Sequence, residues 1–273
     1  MGKLGKGKFI RIAIAVFVVA ITVWLLCGNV ALGLTTYTIA ERNLPEAFDG
    51  FRIAHISDLH SAELGQNNAR LLNMLRKSEP DIIAITGDLI DYRDESPDVA
   101  IHFLQEAVKI APCYYVLGNH EIRLDAAMQR QLLTAAEEAG VVLLHDVEVI
   151  LQRGDDQISV VGHKWNGNSV YDISYFSGYR ILLSHTPEMF PDYVMAGFDL
   201  VMCGHIHGGQ MRIPFVGGVA SPSRTLFPTY DAGVFSNRNT DMVVSRGLGN
   251  SSFPLRINNP PELVLIVLQC AEG

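Results

Sequence analysis

Five short apolar runs between residues 51 and 207 stop abruptly at glycine, aspartate, asparagine or histidine. They end at Asp58-Leu59-His60, Gly87-Asp88, Gly118-Asn119-His120-Glu121, His185-Thr186-Pro187 and Gly204-His205-Ile206-His207. A short apolar run bounded by turn residues reads as a buried strand. Amphipathic stretches follow each of the first three. Residues 67–77 place Leu71, Leu72 and Leu75 on one face, Ser96-Pro97 opens a helix to about Ile110, and residues 125–139 stop at Gly140. Strand and helix alternation implies an α/β fold with a largely parallel sheet, and the β-rich second half implies a second sheet packed on the first.

In open α/β sheets, ligands collect beyond the carboxyl ends of the strands, so the five runs deliver their polar ends to one edge. Taken singly, Asp-x-His or Gly-Asp after a strand is usually a turn. Their coincidence carries the argument. Asp58, Asp88 and Asn119 offer oxygen, and His60, His185, His205 and His207, with His120 as a fifth imidazole, offer nitrogen. That is more than one tetrahedral ion needs. Two adjacent divalent metal ions sharing a carboxylate would use the set, and mixed imidazole and oxygen donors suit Mn, Fe or Zn without choosing among them.

Ahead of this region, residues 12–34 carry no charge and follow Lys3, Lys6, Lys8 and Arg11. The run is long enough to cross a hydrocarbon core of roughly 30 Å as a helix. A basic leader sets the amino terminus in the cytoplasm and the remainder outside it. The chain therefore divides into a basic leader at 1–11, a transmembrane signal-anchor at 12–34, a polar linker at 35–50 and a catalytic domain at 51–273. Ala31-Leu32-Gly33 leaves a cleaved signal peptide as the alternative, although the apolar run exceeds the usual core of about 7 to 15 residues. Of 21 basic residues four lie in the leader, so 17 face 29 acidic ones beyond it, a formal charge of −12. Such a surface repels polyphosphate and makes nucleic acid an unfavourable partner. Cys113, Cys203 and Cys270 lie in apolar runs, which reads as buried small hydrophobes rather than a disulfide framework.

DLH at 58–60, GD at 87–88, GNHE at 118–121, SH at 184–185 and GHIH at 204–207 resemble, in order and spacing, the motifs of the calcineurin-like metallophosphoesterases. The likeness spans about residues 51–268. It implies a four-layer αββα sandwich of two mixed sheets, here preceded by one N-terminal transmembrane helix. It also implies Asp58, His60 and His207 on one metal, Asn119, His185 and His205 on the other, and Asp88 bridging them. His120 resembles the family's non-ligand histidine that protonates the departing oxygen. GHIHGGQMRIP, SRGLGNSSFPLR and NPPE resemble the membrane-anchored bacterial branch, which includes broad phosphodiesterases and UDP-2,3-diacylglucosamine hydrolases. GDLIDYR lacks the Asp-Arg-Gly sequence of the serine/threonine phosphatases, which counts against that activity.

His163 in His163-Lys164-Trp165, Arg246 and Arg256 are candidate substrate contacts. An arginine binds phosphate bidentately, but a structural salt bridge is the alternative for both. Asp91 and Glu121 read as supporting or surface groups, His102 and His145 as surface or packing residues, and His55 as a core histidine. The expectation is a membrane-anchored dinuclear phosphoesterase, single-pass with an extracytoplasmic domain, acting on a lipid-linked or envelope phosphodiester or pyrophosphate. A UDP-2,3-diacylglucosamine-like pyrophosphate is the most specific substrate. A cell-wall or phospholipid diester outside the membrane and a non-catalytic tethered binding protein are the alternatives.

Overall fold

A computed structural model describes residues 3–165, 169–171, 173–250 and 255–271. Helix α1 (Lys3–Val30) leads into strand β1 (Gly33–Glu41), then β2 (Arg52–Ile56), α2 (Ala69–Lys77), β3 (Ile82–Ile85), α3 (Asp98–Ala107) and β4 (Cys113–Tyr115). The short α4 (Asn119–Arg123), α5 (Ala126–Ala139) and β5 (Val142–Leu143) complete the first half. The second half holds β6 (Glu148–Arg153), β7 (Asp156–Gly162), β8 (Arg180–Leu183), α6 (Phe190–Ala196) and β9 (Leu200–Cys203). A two-stranded ribbon of β10 (Arg212–Ile213) and β11 (Gly217–Gly218) follows, then β12 (Gly233–Asn237), β13 (Thr240–Val244) and β14 (Glu262–Cys270).

Two six-stranded mixed sheets result, ordered β1-β14-β2-β3-β4-β5 and β12-β13-β9-β8-β7-β6. Strand periodicity sorts their side chains into layers. In β3, Ile83 and Ile85 face a core with Leu71 and Leu75 of α2, Phe103 of α3 and Leu132 of α5. Ile82 and Ala84 face the opposite way, into the core shared with Ile181 and Leu200 of the second sheet. Val201 of β9 then meets Tyr193 and Val194 of α6. The layers are therefore helix, sheet, sheet, helix, as the resemblance implies. Parallel pairing of β2, β3 and β4, and of β8 and β9, sends five carboxyl ends to one edge.

Two expectations about the amino-terminal region change. The helix runs Lys3–Val30 rather than 12–34, and among the described residues no helix is long and apolar enough to cross a membrane. The linker expected at 35–50 begins as strand through Glu41, because β1 pairs in parallel with β14 from Gly33 opposite Glu262 to Glu41 opposite Cys270. Thr35, Tyr37 and Ile39 point inward while Leu34, Thr36 and Thr38 are exposed. Inward Thr35 donates to Glu262 Oε2 at 2.6 Å, so a polar residue satisfies an inward position and the apolar alternation is hidden. The structure thus joins residues 33–41 to the sandwich rather than to a linker.

Cys113 and Cys203 are buried thiols and Cys270 is partly exposed, none of them in a disulfide. The Cys27 side chain and residues 251–254 of the SRGLGNSSFPLR stretch lie outside the described residues.

Candidate metal centre

The turn after β2 carries Asp58 and His60 inward and is stitched to the turn after β3 by main-chain bonds, Asp58 N–H to Gly87 O and His60 N–H to Asp88 O, each 3.0 Å. Gly87 has φ +92°, and a side chain there would meet Gly118 N–H and the His185 ring. Only glycine fits that crossing. Gly204 is required for another reason, since a Cβ would collide with Ser57 Oγ and Asp58 Oδ2. Asp58, His60, Asp88, His205 and His207 all adopt positive φ, between 44° and 72°. Non-glycine residues in that region cost on the order of 1–3 kcal/mol each and cluster at functional sites.

Glu121 fastens the turns from below. Its buried carboxylate accepts from the main-chain N–H groups of Asp88 (2.9 Å), Leu89 (2.6 Å) and Gly118 (2.8 Å). Three donors from two strand ends converge on one side chain, so it holds the β3 and β4 turns in register.

Within this frame two groups of donor atoms form. His60 Nε2 and His207 Nε2 stand 3.1 Å apart, with Asp58 Oδ1 3.9 and 3.4 Å from them. Atoms bound at about 2.0–2.1 Å to one tetrahedral zinc stand about 3.3 Å from each other, so this spacing fits three ligands around one ion. Asp88, His185 and His205 make the second group. Asp88 Oδ2 lies 3.1 Å from His185 Nε2 and 3.8 Å from His60 Nε2, between the two groups, while its Oδ1 accepts from His120 N–H at 2.8 Å. Asn119 Oδ1, at the start of α4, is buried without a hydrogen-bond partner among the described residues. A buried oxygen without a partner is costly unless something absent from the protein itself binds it.

The rings are aimed by what they touch on their far sides. His185 Nδ1–H donates to Thr86 O at 2.5 Å, leaving Nε2 directed at Asp88. Asp58 accepts from Ser57 Oγ at 2.6 Å and from His205 N–H at 3.1 Å. His207 is backed by the Arg256 guanidinium, whose Nη2 lies 3.4 Å from His207 Nδ1, and its carbonyl accepts from Asn259 Nδ2 at 2.6 Å.

Charge follows the same geometry. Burial drives Asp58 up to about 6, opposed by His185. For Asp88 burial acts upward too, but His185, His60 and His120 together hold it below the ordinary carboxylate range. His185 is raised to about 10, because Asp88 and Asp58 outweigh its burial. His60 and His205 fall to about 3, chiefly by burial, and remain neutral donors. Two buried carboxylates thus demand nearby positive charge; a proton on His185 supplies part of it, and a divalent ion held by the neutral rings of His60, His205 and His207 would take that proton's place.

His120 lies beside both groups but presents a different face. Its Nδ1 accepts from Tyr92 N–H at 3.2 Å, which in a neutral imidazole places the proton on Nε2, 4.0 Å from Asp88 Oδ2. Asp91, 3.7 Å from His120 Nδ1 and 3.9 Å from His60 Nδ1, closes a third donor group with these two histidines. It is gripped by Arg93 at 2.6 Å.

The other sequence candidates are placed differently. Arg256 is buried, its donors spent on Gly249 O, Arg246 O (2.8 Å) and Asn250 Oδ1 (3.1 Å), an internal scaffold rather than a phosphate clamp. Arg246 pairs with Glu262 at 2.5 Å, the salt-bridge alternative. His163 is buried near Tyr193 and belongs to neither donor group. Its neighbour Trp165 is the one that reaches the site, with its indole centroid 5.4 Å from the His185 ring and 5.0 Å from the His205 ring. Glu121 and Trp165 had weak sequence signals because their roles depend on partners 20 or more positions away, and Arg256 because its role depends on which way a loop folds.

A family model described as calcineurin-like phosphoesterase matches residues 51–209. The chain is 26% identical to the uncharacterized metallophosphoesterase YkoQ of Bacillus subtilis, over 84% of this chain and 88% of that one. It is 26% identical to the phosphodiesterase YaeI of Escherichia coli, over 80% of this chain and 82% of that one. A zebrafish (Danio rerio) transmembrane protein with metallophosphoesterase domain is 25% identical, over 85% of this chain and 56% of that one.

Proposed function

The chain belongs to the calcineurin-like phosphoesterase family and is a phosphoester hydrolase; from that premise we propose that it cleaves a phosphodiester or pyrophosphate bond with two divalent metal ions. Asp58, His60 and His207 would hold one ion and Asn119, His185 and His205 the other, with Asp88 shared between them. The observation that carries this reading is the approach of His60 Nε2 and His207 Nε2 beside Asp58 Oδ1, with Asp88 Oδ2 reaching from His60 to His185. When bound, such a pair of ions, typically about 3.5–4 Å apart, stabilises the attacking and leaving oxygens of an in-line displacement. His120 protonates the departing oxygen from its imidazolium form, because the neutral ring, whose Nδ1 accepts from Tyr92 N–H, would be left an imidazolate if it lost Nε2–H.

The E. coli relative's name supports a diester over a monoester. The substrate we propose is lipid-linked, and a UDP-2,3-diacylglucosamine-like pyrophosphate is its most specific form. Support for a lipid surface comes from α1, where Phe9, Ile12, Val16, Phe17 and Val19 are each more than 60% exposed. An apolar helix exposed on all sides belongs in an apolar medium. If proteolysis of intact cells reaches the domain, a cell-wall or phospholipid diester replaces the cytoplasmic nucleotide.

The test is nitrophenol release from bis(4-nitrophenyl) phosphate by chelator-treated protein given Mn, Fe or Zn. Turnover that returns with metal supports the reading. No turnover with any of the three overturns it.

A further inference from the structure

The hydrolase reading leaves Trp165 unused. Its indole packs against both imidazoles of one donor group, at interplanar angles of 64° to His185 and 56° to His205. Rings meeting that steeply cover only part of each other's faces. Trp165 is also only half-buried, whereas the aromatic residues that serve packing alone, such as Phe48, Phe103, Tyr179 and Phe198, are almost wholly enclosed. A large apolar ring left open beside ligand histidines offers a flat surface to whatever binds there. Tyr92, the exposed aromatic beside His120, already has the Arg123 guanidinium 3.6 Å from its ring centroid and His120 at 5.1 Å. Trp165 is therefore the partly exposed aromatic beside the donors that carries no cation on its ring among the described residues.

We propose that Trp165 is a specificity-determining residue that stacks on a planar group of the substrate, so that the enzyme prefers phosphoesters carrying an aryl or nucleobase group over purely aliphatic ones. This rests on the hydrolase reading and narrows its substrate class. Stacking of a base on an aromatic side chain is worth about 1–3 kcal/mol, on the order of five- to a hundredfold in affinity.

The test compares two non-hydrolysable probes, 4-nitrophenylphosphonate and methylphosphonate, on the full chain loaded with Mn. Trp24→Phe leaves Trp165 as the one indole, since the sequence has two tryptophans. Nitrophenylphosphonate should quench its fluorescence and bind about tenfold more tightly than methylphosphonate. Trp165→Leu, which keeps apolar bulk without the plane, should erase that preference in calorimetric titration, and Trp165→Phe should retain most of it. Metal content of all variants is measured alongside. If Leu and Phe weaken both probes equally, or if Leu releases the metal while Phe does not restore the aryl preference, the indole only props the histidines and the proposal falls. If neither probe binds even the unmodified protein, the hydrolase reading fails instead.

Discussion

His60 Nε2 and His207 Nε2, 147 positions apart in sequence, face each other at 3.1 Å with their rings inclined by only 25°. Two neutral imidazoles can share one hydrogen bond there, whereas a cation would take both buried lone pairs at once. The arrangement is stable when both point at one cation.

Removing either ring should therefore cost the ion. His60→Ala and His207→Ala are expected to lose most of one metal equivalent and to lower kcat/KM at least about 100-fold, given that even the outer partners of metal ligands are worth about 10 to 100-fold. Elemental analysis of the purified variants measures this. Full metal occupancy in both would remove these residues from the ligand set.

His120 should behave oppositely. It lies outside the two groups assigned to the ions and is the assigned proton donor to the leaving oxygen, so His120→Ala should keep both metals while turnover falls by about 10² to 10⁴-fold. The loss should shrink for a diester whose leaving group is a strongly acidic phenol, which departs without protonation. An equal loss for good and poor leaving groups would assign His120 to positioning instead.

Glu121 tests the frame beneath the site. Glutamine would turn an NH₂ towards at least one of the three N–H donors now served by the carboxylate. Leaving a buried donor unpaired costs about 1–3 kcal/mol. Glu121→Gln should lower the urea midpoint accordingly and weaken metal binding, whereas Glu121→Asp should recover neither because it is too short to span both turns. Unchanged unfolding of the Gln variant would show that the turns are held elsewhere.

The sequence carried the strand ends because each is a local event, an apolar run followed by residues that tolerate a tight turn. It was silent on β1, whose inward positions include Thr35, satisfied by Glu262 more than 200 positions away. Arg256 shows a different limit, since an arginine near a phosphate site looks like a clamp until the fold of its own loop brings the carbonyls of Gly249 and Arg246 to its donors. The amino-terminal run was legible as apolar, but its helical bounds, Lys3–Val30, were not, because no residue within it caps or breaks the helix before Gly33 begins the sheet.

Stability should fall in acid through a residue outside the site. His55 is fully buried in β2, its Nε2 2.8 Å from Thr86 Oγ1, and burial lowers it from the ordinary 6.5 to about 4 despite the opposing pull of Glu262. The unfolded chain therefore binds a proton between those values that the folded chain refuses. The sign follows: this contribution to stability is complete above about pH 6.5 and is lost as pH falls through about 4. At roughly 1.4 kcal/mol per pKa unit, the loss approaches about 3 kcal/mol at the acid end. His55→Leu, compared with the unmodified protein by urea unfolding in chelator at pH 7.5, 5.5 and 4.5, should show a flatter decline. Parallel curves for the two proteins would mean that His55 takes no part in the acid response.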